Sequence, residues 1–323
     1  MATQETTFLY RQLEERKRRL ESAIAFVPRD AGLEGLLKEV DAALGRMASG
    51  SYGLCEECHE PIEQDRLLSN PLLRYCLTHL RVSEINALQR DLELANAVQR
   101  NLLPIAGLRA GGWETSYHYA PVGAVSGDYC DLIQADEKLF FVLGDVSGKG
   151  VAASLLMTQL HALFRSLTQM SLPLEQMVPQ VNRIFCESSL AGHYATLVCG
   201  QAKPDGELEI YNAGHLPALV LQRGGVRQID STGLPLGMFC EVGFSGTRLR
   251  LQPGDTLLLF TDGFSEARHA DEEYGVDRIT NLLRQHEGQP AAEVIAACLN
   301  DLRTFIDSPP FDDMTLLAIH RTA

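Results

Sequence analysis

The stretch LGDVSGKGVAASLL, residues 143–156, sets the problem. An apolar run ends at Asp145, glycines follow, and an apolar pattern of helical period begins. A lysine in a glycine-rich turn ahead of a helix has the outline of a phosphate cradle, in which backbone N–H groups hold phosphate at a helix N-terminus. The spacing excludes it. A nucleotide loop needs four residues between its glycines and a Ser or Thr after the lysine, whereas three residues separate Gly144 from Gly148 and Lys149 precedes Gly150. Asp145, at the end of a strand and the start of a flexible turn, is the residue left to explain.

The same arrangement recurs along the chain. SGDYCD carries Asp128 and Asp131, LFTDGFSE carries Asp262, and FDDMT carries Asp312 and Asp313. One aspartate at a strand end is ordinarily a turn residue or a helix cap. Several on adjacent strands would converge into an oxygen-rich pocket whose mutual repulsion hard divalent cations relieve. Two such ions can hold a bridging water, lower its pKa and clamp a phosphoryl group during in-line attack. The glycines of DVSGKG would let the Asp145 carboxylate and the Val146 carbonyl both reach metal, with Lys149 secondary.

From Pro104 onward, short β-like runs (LFFVLGDV, YATLVCGQA, ELEIYNAG, ALVLQR, TLLLFTDG, MTLLAIHR) are bounded by Gly, Pro, Asp or Asn,. Helical patterns lie between them at VAASLLMTQLHALFRSL, LEQMVPQVNRIFCESS and AAEVIAACLNDLRTFID,. Strands that often follow one another directly, with helices inserted in pairs, predict an antiparallel α+β layered fold. Ahead of it, FLYRQLEERKRRLESAIAF and LEGLLKEVDAALGRMASG read as two helices broken around Pro28 and Gly32, a helical hairpin,. VSEINALQRDLELANAVQRNLLP places Val82, Ile85, Leu88, Leu92, Ala95 and Val98 on a seam of coiled-coil spacing that ends at Pro104,. That helix can pair with its copy in a second chain or pack on its own domain.

Between hairpin and linker, Cys55-x-x-Cys58 and Cys76-x-x-His79 stand seventeen residues apart. Two close pairs at this separation supply four tetrahedral thiolate and imidazole donors for a structural Zn²⁺, with no position left for substrate. His59 could compete with His79, but chelation next to Cys58 would be strained. The remaining thiols, Cys130, Cys186, Cys199, Cys240 and Cys298, read as ordinary buried cysteines of a reducing compartment,. A net charge of −14, from 28 Lys+Arg against 42 Asp+Glu, argues against a general nucleic-acid or anionic-membrane binder,. No apolar run is long enough for a membrane helix and the start lacks a secretory pattern, so a cytoplasmic location is expected.

Two resemblances add to this reading. GRMASGSYGLCEECHEPIEQDRLLSNPLLRYC, with the hairpin before it, resembles the zinc finger of the DksA/TraR family over roughly residues 30–80, although that family's second pair is Cys-x-x-Cys where this chain has His79. Longer members reach RNA polymerase through acidic residues at a coiled-coil tip; here the turn offers Asp30 and Glu34 alone, so polymerase control is not implied. The ordered series LELANAVQRNLLP, SGDYCD, GDVSGKG, YNAGHLPAL, GLPLG, LQPGDTLLLFTDG and DDMTLLAI resembles the SpoIIE/RsbU branch of the metal-dependent type 2C phosphatases over residues 88–320.

That resemblance implies an αββα sandwich of two antiparallel sheets flanked by helices, with two Mn²⁺ or Mg²⁺ ions in the cleft between the sheets. It makes Asp145 the bridging ligand, Asp128 a ligand to one ion and Asp262 and Asp312 ligands to the other, with the Val146 carbonyl contributing and Asp313 in support. Asp131 is open between support and a cap, and Asn212 and His215 of the NAGH motif read as buried hydrogen-bonding residues. Ser126 and Cys130 stand where the branch often has Gly and an aromatic. The expected organisation is a hairpin and finger over 1–80, a coiled-coil linker over 81–104 and a phosphatase domain over 105–323. The implied substrate is a phosphorylated regulator of the anti-sigma-factor antagonist type, with a homodimer through the linker. Two rivals are a zinc-finger transcription regulator that binds RNA polymerase, and a metal-binding scaffold without activity.

Overall fold

The computed structural model describes residues 2–26, 30–79, 82–189, 192–307 and 310–322, and the chain divides into two compact units, Met1–Arg90 and Asp91–Ala323. In the first unit, α1 (Ala2–Phe26) and α2 (Ala31–Ser49) share a small core of Leu13, Val40 and Ala43. Lys17 and Asp41 tie the two helices at 2.7 Å. Asp30 caps α2, its Oδ1 accepting from the backbone N–H of Gly32 and Leu33, and Gly50 in the left-handed conformation ends it,. The predicted break at Pro28 and the predicted boundary at residues 80–81 lie outside the described residues. The finger segment that follows holds α3 (Gln64–Ser69) and a 3₁₀ turn at Leu77–His79 around Cys55, Ile62, Leu67, Tyr75 and Cys76.

The division between units falls inside α4 (Val82–Arg100). Of the predicted seam, Ile85, Leu88 and Val98 are exposed, whereas Leu92 and Ala95 are half-buried. The Val82 side chain lies outside the described residues.

The second unit runs β1 (Arg109–Ala110), β2 (Trp113–Ala120), β3 (Asp128–Ala135), β4 (Lys138–Val146), α5 (Val151–Gln169), α6 (Leu174–Ser188), β5 (Ala195–Ala202), β6 (Glu207–Ala213), β7 (Ala218–Gln222), β8 (Gly225–Ile229) and β9 (Gly246–Arg250). It continues with β10 (Thr256–Phe260), α7 (Asp262–Ser265), β11 (Arg268–His269), β12 (Glu272–Glu273), α8 (Val276–Arg284), α9 (Ala291–Phe305) and β13 (Met314–Arg321). One large sheet has the order β1-β2-β13-β10-β7-β8 and the other β3-β4-β5-β6-β9, while β11 and β12 pair only with each other, every pairing antiparallel.

Three apolar layers hold these elements together. Phe141, Leu143, Val198, Leu257 and Leu317 pack between the sheets. Phe140, Phe164, Val178 and Phe185 join the second sheet to α5 and α6. Phe260, Ile279, Val294 and Leu316 join the first sheet to α8 and α9. The result is the expected αββα sandwich. Strands β2, β3, β8 and β9 and helix α8 are not among the predicted elements. WETSYHYA is mostly half-buried and GTRLR alternates between half-buried and exposed, so neither shows the continuous apolar run of the buried strands.

The cysteine reading needs one correction. Cys130, Cys199 and Cys298 are buried free thiols, but Cys186 and Cys240 form a disulfide with their Cα atoms 5.4 Å apart. The partners are 54 residues apart in sequence. Only the packing of the end of α6 against the segment after β8 brings them together, and no sequence spacing signals that.

Candidate active site

Alternation along the strands decides where the carboxylates emerge. On β4, Leu139, Phe141 and Leu143 enter the layer between the sheets, so Asp145 comes out on the same face at its rim. Antiparallel pairing with β3 sets Asp128 across from Asp145. From the other sheet, Leu257 and Leu259 of β10 and Leu317 and Ile319 of β13 fill the same layer, which carries Thr261 and Thr315 to that end of the sandwich. Asp262 follows Thr261 as the first residue of α7, and Asp312 and Asp313 precede β13. Gly263 is required here: a Cβ on it would lie 2.1 Å from the Asp313 carbonyl oxygen. Without a side chain, α7 can lie against the backbone of Asp312 and Asp313.

Asp145, Asp262 and Asp312 stand close enough to act on one another's charge. Burial, and then the charges of Asp262, Asp312 and Asp313, push the Asp145 carboxyl up to about 7,. Asp262 is raised by burial and then by Asp312. Asp312 holds Lys149 at 2.8 Å, and the same ammonium donates to the Phe311 carbonyl at 3.2 Å. Beside them opens a cleft of about 380 Å³ lined by Asp145, Ser147, Tyr194, His215, Asp262 and Glu266 among others.

Asp128 lies deeper, 1% exposed, and its Oδ2 accepts from the hydroxyls of Thr261 at 2.9 Å and Thr315 at 2.6 Å. Burial, reinforced by Asp145, raises its pKa well above the usual carboxylate range. Asp313 spends both oxygens on the loop ahead of β3: Oδ1 accepts from Val122 N–H at 2.7 Å and Oδ2 from Gly127 N–H at 3.1 Å. Val146 buries its side chain under α5, and its carbonyl would meet a Cβ on Gly127 at 3.0 Å.

Asp131, three residues beyond Asp128, faces the opposite side of β3. It is fully buried and bonded by Arg165 of α5 through both oxygens at 2.7 and 2.8 Å, with His161 3.6 Å away. It is therefore an anchor between β3 and α5 and caps no helix. Asn212 and His215 have the expected hydrogen-bonding roles. Asn212 closes the turn by accepting from His215 N–H and donating to the Leu216 carbonyl. His215 is buried, its pKa is lowered to about 4 by that burial, and its ring spans the Thr196 hydroxyl and the Phe260 carbonyl.

These residues fit divalent cations. Carboxylate charge is concentrated here with Lys149 as a nearby cation, and burial, followed by the charges of Asp262, Asp312 and Asp313, is what raises Asp145 to about 7,.

In the zinc-type set, Cys55, Cys58, Cys76 and His79 have all donor atoms within 4.8 Å of one another. Cys58 and Cys76 sulfurs lie 3.8 Å apart, and His79 Nδ1 is 3.2 Å from Cys76 Sγ. A tetrahedral ion with Zn–S near 2.3 Å sets S···S edges of about 3.8 Å. The Cys76 thiol is drawn down to about 6 by the Thr78 hydroxyl and then His79, which favours the ligating thiolate,. His59, with φ 59°, stands outside the set.

The family model described as Stage II sporulation protein E (SpoIIE) matches residues 135–322, more than half of the chain. The chain belongs to the SpoIIE family. Residues 50–78 match the prokaryotic dksA/traR C4-type zinc finger, a match that stops one residue short of His79. The chain is 28% identical over 263 residues to Protein IcfG of Synechocystis sp., covering 72% of this chain and 41% of that protein. It is 24% identical over 237 residues to Phosphoserine phosphatase RsbU of Bacillus subtilis, covering 72% of this chain and 71% of RsbU. The solved SiaA-PP2C domain of Pseudomonas aeruginosa shares the fold, with TM-score 0.65 at 19% identity, over 75% of this chain and 98% of that one. This SpoIIE-family chain thus spans about two fifths of the length of IcfG. Among its described residues no helix is long and apolar enough to cross a membrane.

Sequence reasoning missed several residues that shape the site. Thr261 and Thr315 stand inside the quoted motifs LFTDGFSE and FDDMT, yet nothing local marks them as partners of Asp128. Arg165 and His161 sit on the same face of α5 as its buried residues, a helical-period signal that could have flagged an ion pair.

Proposed function

We propose that this chain is a metal-dependent protein-serine/threonine phosphatase that hydrolyses phosphoserine or phosphothreonine on a regulatory protein. The observation that carries the reading is that Asp145 and Asp262 line one cleft, with Asp312 near enough for its charge to act on both and Asp145 pushed up to about 7. Asp128 through Oδ1, Asp145, the Val146 carbonyl, Asp262 and Asp312 would hold two Mn²⁺ or Mg²⁺ ions, with Asp313 keeping the adjoining loop in place. When bound, such ions neutralise the carboxylates, lower the pKa of water and clamp phosphoryl oxygens during in-line displacement.

The chain's own residues do the rest. Asp145 must lose its proton to ligate, so cation affinity rises with pH through about 7,. Thr261 and Thr315 hold Asp128 in one orientation. Lys149, with its ammonium at the cleft's edge beside Asp312, faces an incoming phosphate. Ser147 and Tyr194 line the side that would receive the residues flanking the phosphoserine.

The substrate in this reading is a cytoplasmic phosphoprotein of the anti-sigma-factor antagonist type, as the kinship with RsbU supports. Residues 105–323 form the catalytic domain, 81–104 the linker, and 1–80 a zinc-stabilised module that regulates or dimerises it. Exposed Ile85, Leu88 and Val98 of the predicted seam on α4 support a homodimer through the linker.

The test is phosphate release from a phosphoserine protein with Mn²⁺ titrated in, wild type against Asp262→Ala. Metal-dependent release that the variant lacks is expected; equal release from both would refute the site. Activity unchanged by deletion of residues 1–80 would refute the regulatory role of that module. The finger match over residues 50–78 favours one other reading, a regulator bound to RNA polymerase; polymerase association that survives loss of Asp145 would support it.

A further inference from the structure

The loop of residues 122–127 joins β2 to Asp128 and is gripped from two sides. On one side, Gln99 in the last turn of α4 forms a paired contact with Ser126: its Nε2 donates to the Ser126 carbonyl at 2.7 Å and its Oε1 accepts from Ser126 N–H at 2.9 Å. Gln99 is 5% exposed, rare for a glutamine unless its amide is satisfied in this way,. One turn earlier, the Asn96 amide donates to the Ala124 carbonyl. On the other side, Asp313 accepts from Val122 and Gly127. The loop then hands its position to the site: Ser126 Oγ accepts from Asp128 N–H at 3.0 Å, and Gly127 lies against the Val146 carbonyl. Its outer half, Val122 to Ala124, is exposed, and a cavity of about 290 Å³ opens between Leu92, Val122, Val125 and Val151.

We propose that Gln99 is a positioning residue for the carboxylate site, so that the placement of the last turn of α4 sets the affinity of that site for divalent cations. Removing the Gln99 contacts frees the loop at Ser126, and with it the Asp128 backbone and the neighbour of the Val146 carbonyl. The inference rests on the metal-dependent phosphatase reading.

The test is calorimetric titration of Mn²⁺ into the zinc-loaded full chain, with Asp262→Ala as the blank for the carboxylate site. Gln99→Met keeps the bulk and loses both hydrogen bonds. It is expected to weaken Mn²⁺ binding about tenfold, the size of effect that losing a buried hydrogen-bond pair allows. The KM for a phosphopeptide at saturating Mn²⁺ should stay as in the wild type. Mn²⁺ affinity within about twofold of wild type, or an equal loss in Leu94→Ala on the exposed face of α4, overturns the inference. If Gln99→Met does not fold, Asn96→Ala replaces it: about threefold weaker binding supports the inference and unchanged binding overturns it. A wild type whose Mn²⁺ heat does not depend on Asp262 removes the phosphatase reading itself, an outcome distinct from an Asp262-dependent heat that Gln99→Met leaves unchanged.

Discussion

The raised pKa of Asp145 makes the stability of the cation-free protein depend on pH in an unusual direction. Its carboxyl moves from the ordinary 3.8 to about 7 on folding. Between those values the folded chain holds a proton that the unfolded chain has released, so stability falls as pH rises through the window and the loss is complete above about 7. Asp128 and Asp262 are raised as well and add in the same direction. For a single group at about 7, the loss between pH 5.5 and 8 comes to about 2 kcal/mol. The perturbation is Asp145→Asn, which keeps the shape and fixes the group neutral. Urea unfolding of EDTA-treated protein at the two pH values is the assay, followed by the fluorescence of Trp113. That residue is the chain's single tryptophan, 1% exposed and packed between the two sheets, so it reports on the second unit. Wild type should be more stable at pH 5.5 by about 2 kcal/mol relative to the variant's own difference. A variant with the wild-type pH difference to within about 0.5 kcal/mol, or a wild type more stable at pH 8, refutes the argument.

Three further outcomes follow from particular contacts. Arg165→Ala leaves fully buried Asp131 without its bidentate partner, and should cost about 3 kcal/mol in the same tryptophan-detected unfolding; a loss below about 1 kcal/mol would mean that water or His161 takes over the carboxylate. Cys240→Ser opens the cross-link between positions 54 residues apart and should destabilise the second unit by about 2–4 kcal/mol under oxidising conditions, with no difference from wild type once both are reduced. In the finger, Cys76→Ser should expose Arg66 and Arg74 to trypsin while leaving the Trp113 transition in place, because Cys55, Cys76 and His79 hold a segment with little core of its own,; unchanged cleavage would contradict a structural ion there.

How far the sequence could be read depended on whether an interaction was local. LFFVLGDV, TLLLFTDG and MTLLAIHR are legible as buried strands because apolar residues on both faces make continuous runs, and β4, β10 and β13 form there,. WETSYHYA is half-exposed and carries no such run, so β2 was not read. The cysteine pairs and the ordered carboxylate motifs announce their chemistry because ligand identity and short spacing are properties of the chain itself. The Cys186–Cys240 bond, the Thr261 and Thr315 hydroxyls on Asp128 and the Gln99 grip on Ser126 join residues from 27 to 187 positions apart. No periodicity carries that information.

By itself, then, the order of residues determined the layered antiparallel fold, the four-donor zinc set and which aspartates stand at strand ends. The tertiary structure decided what each aspartate does there: Asp145 and Asp262 line the cleft, Asp312 holds Lys149 near them, Asp128 lies behind on two threonines, Asp313 turns to the loop, and Asp131 faces α5 instead. The reason is that a strand's period of two assigns each carboxylate to a face, but only the register of β3 on β4 and the packing of one sheet on the other determine what that face meets,.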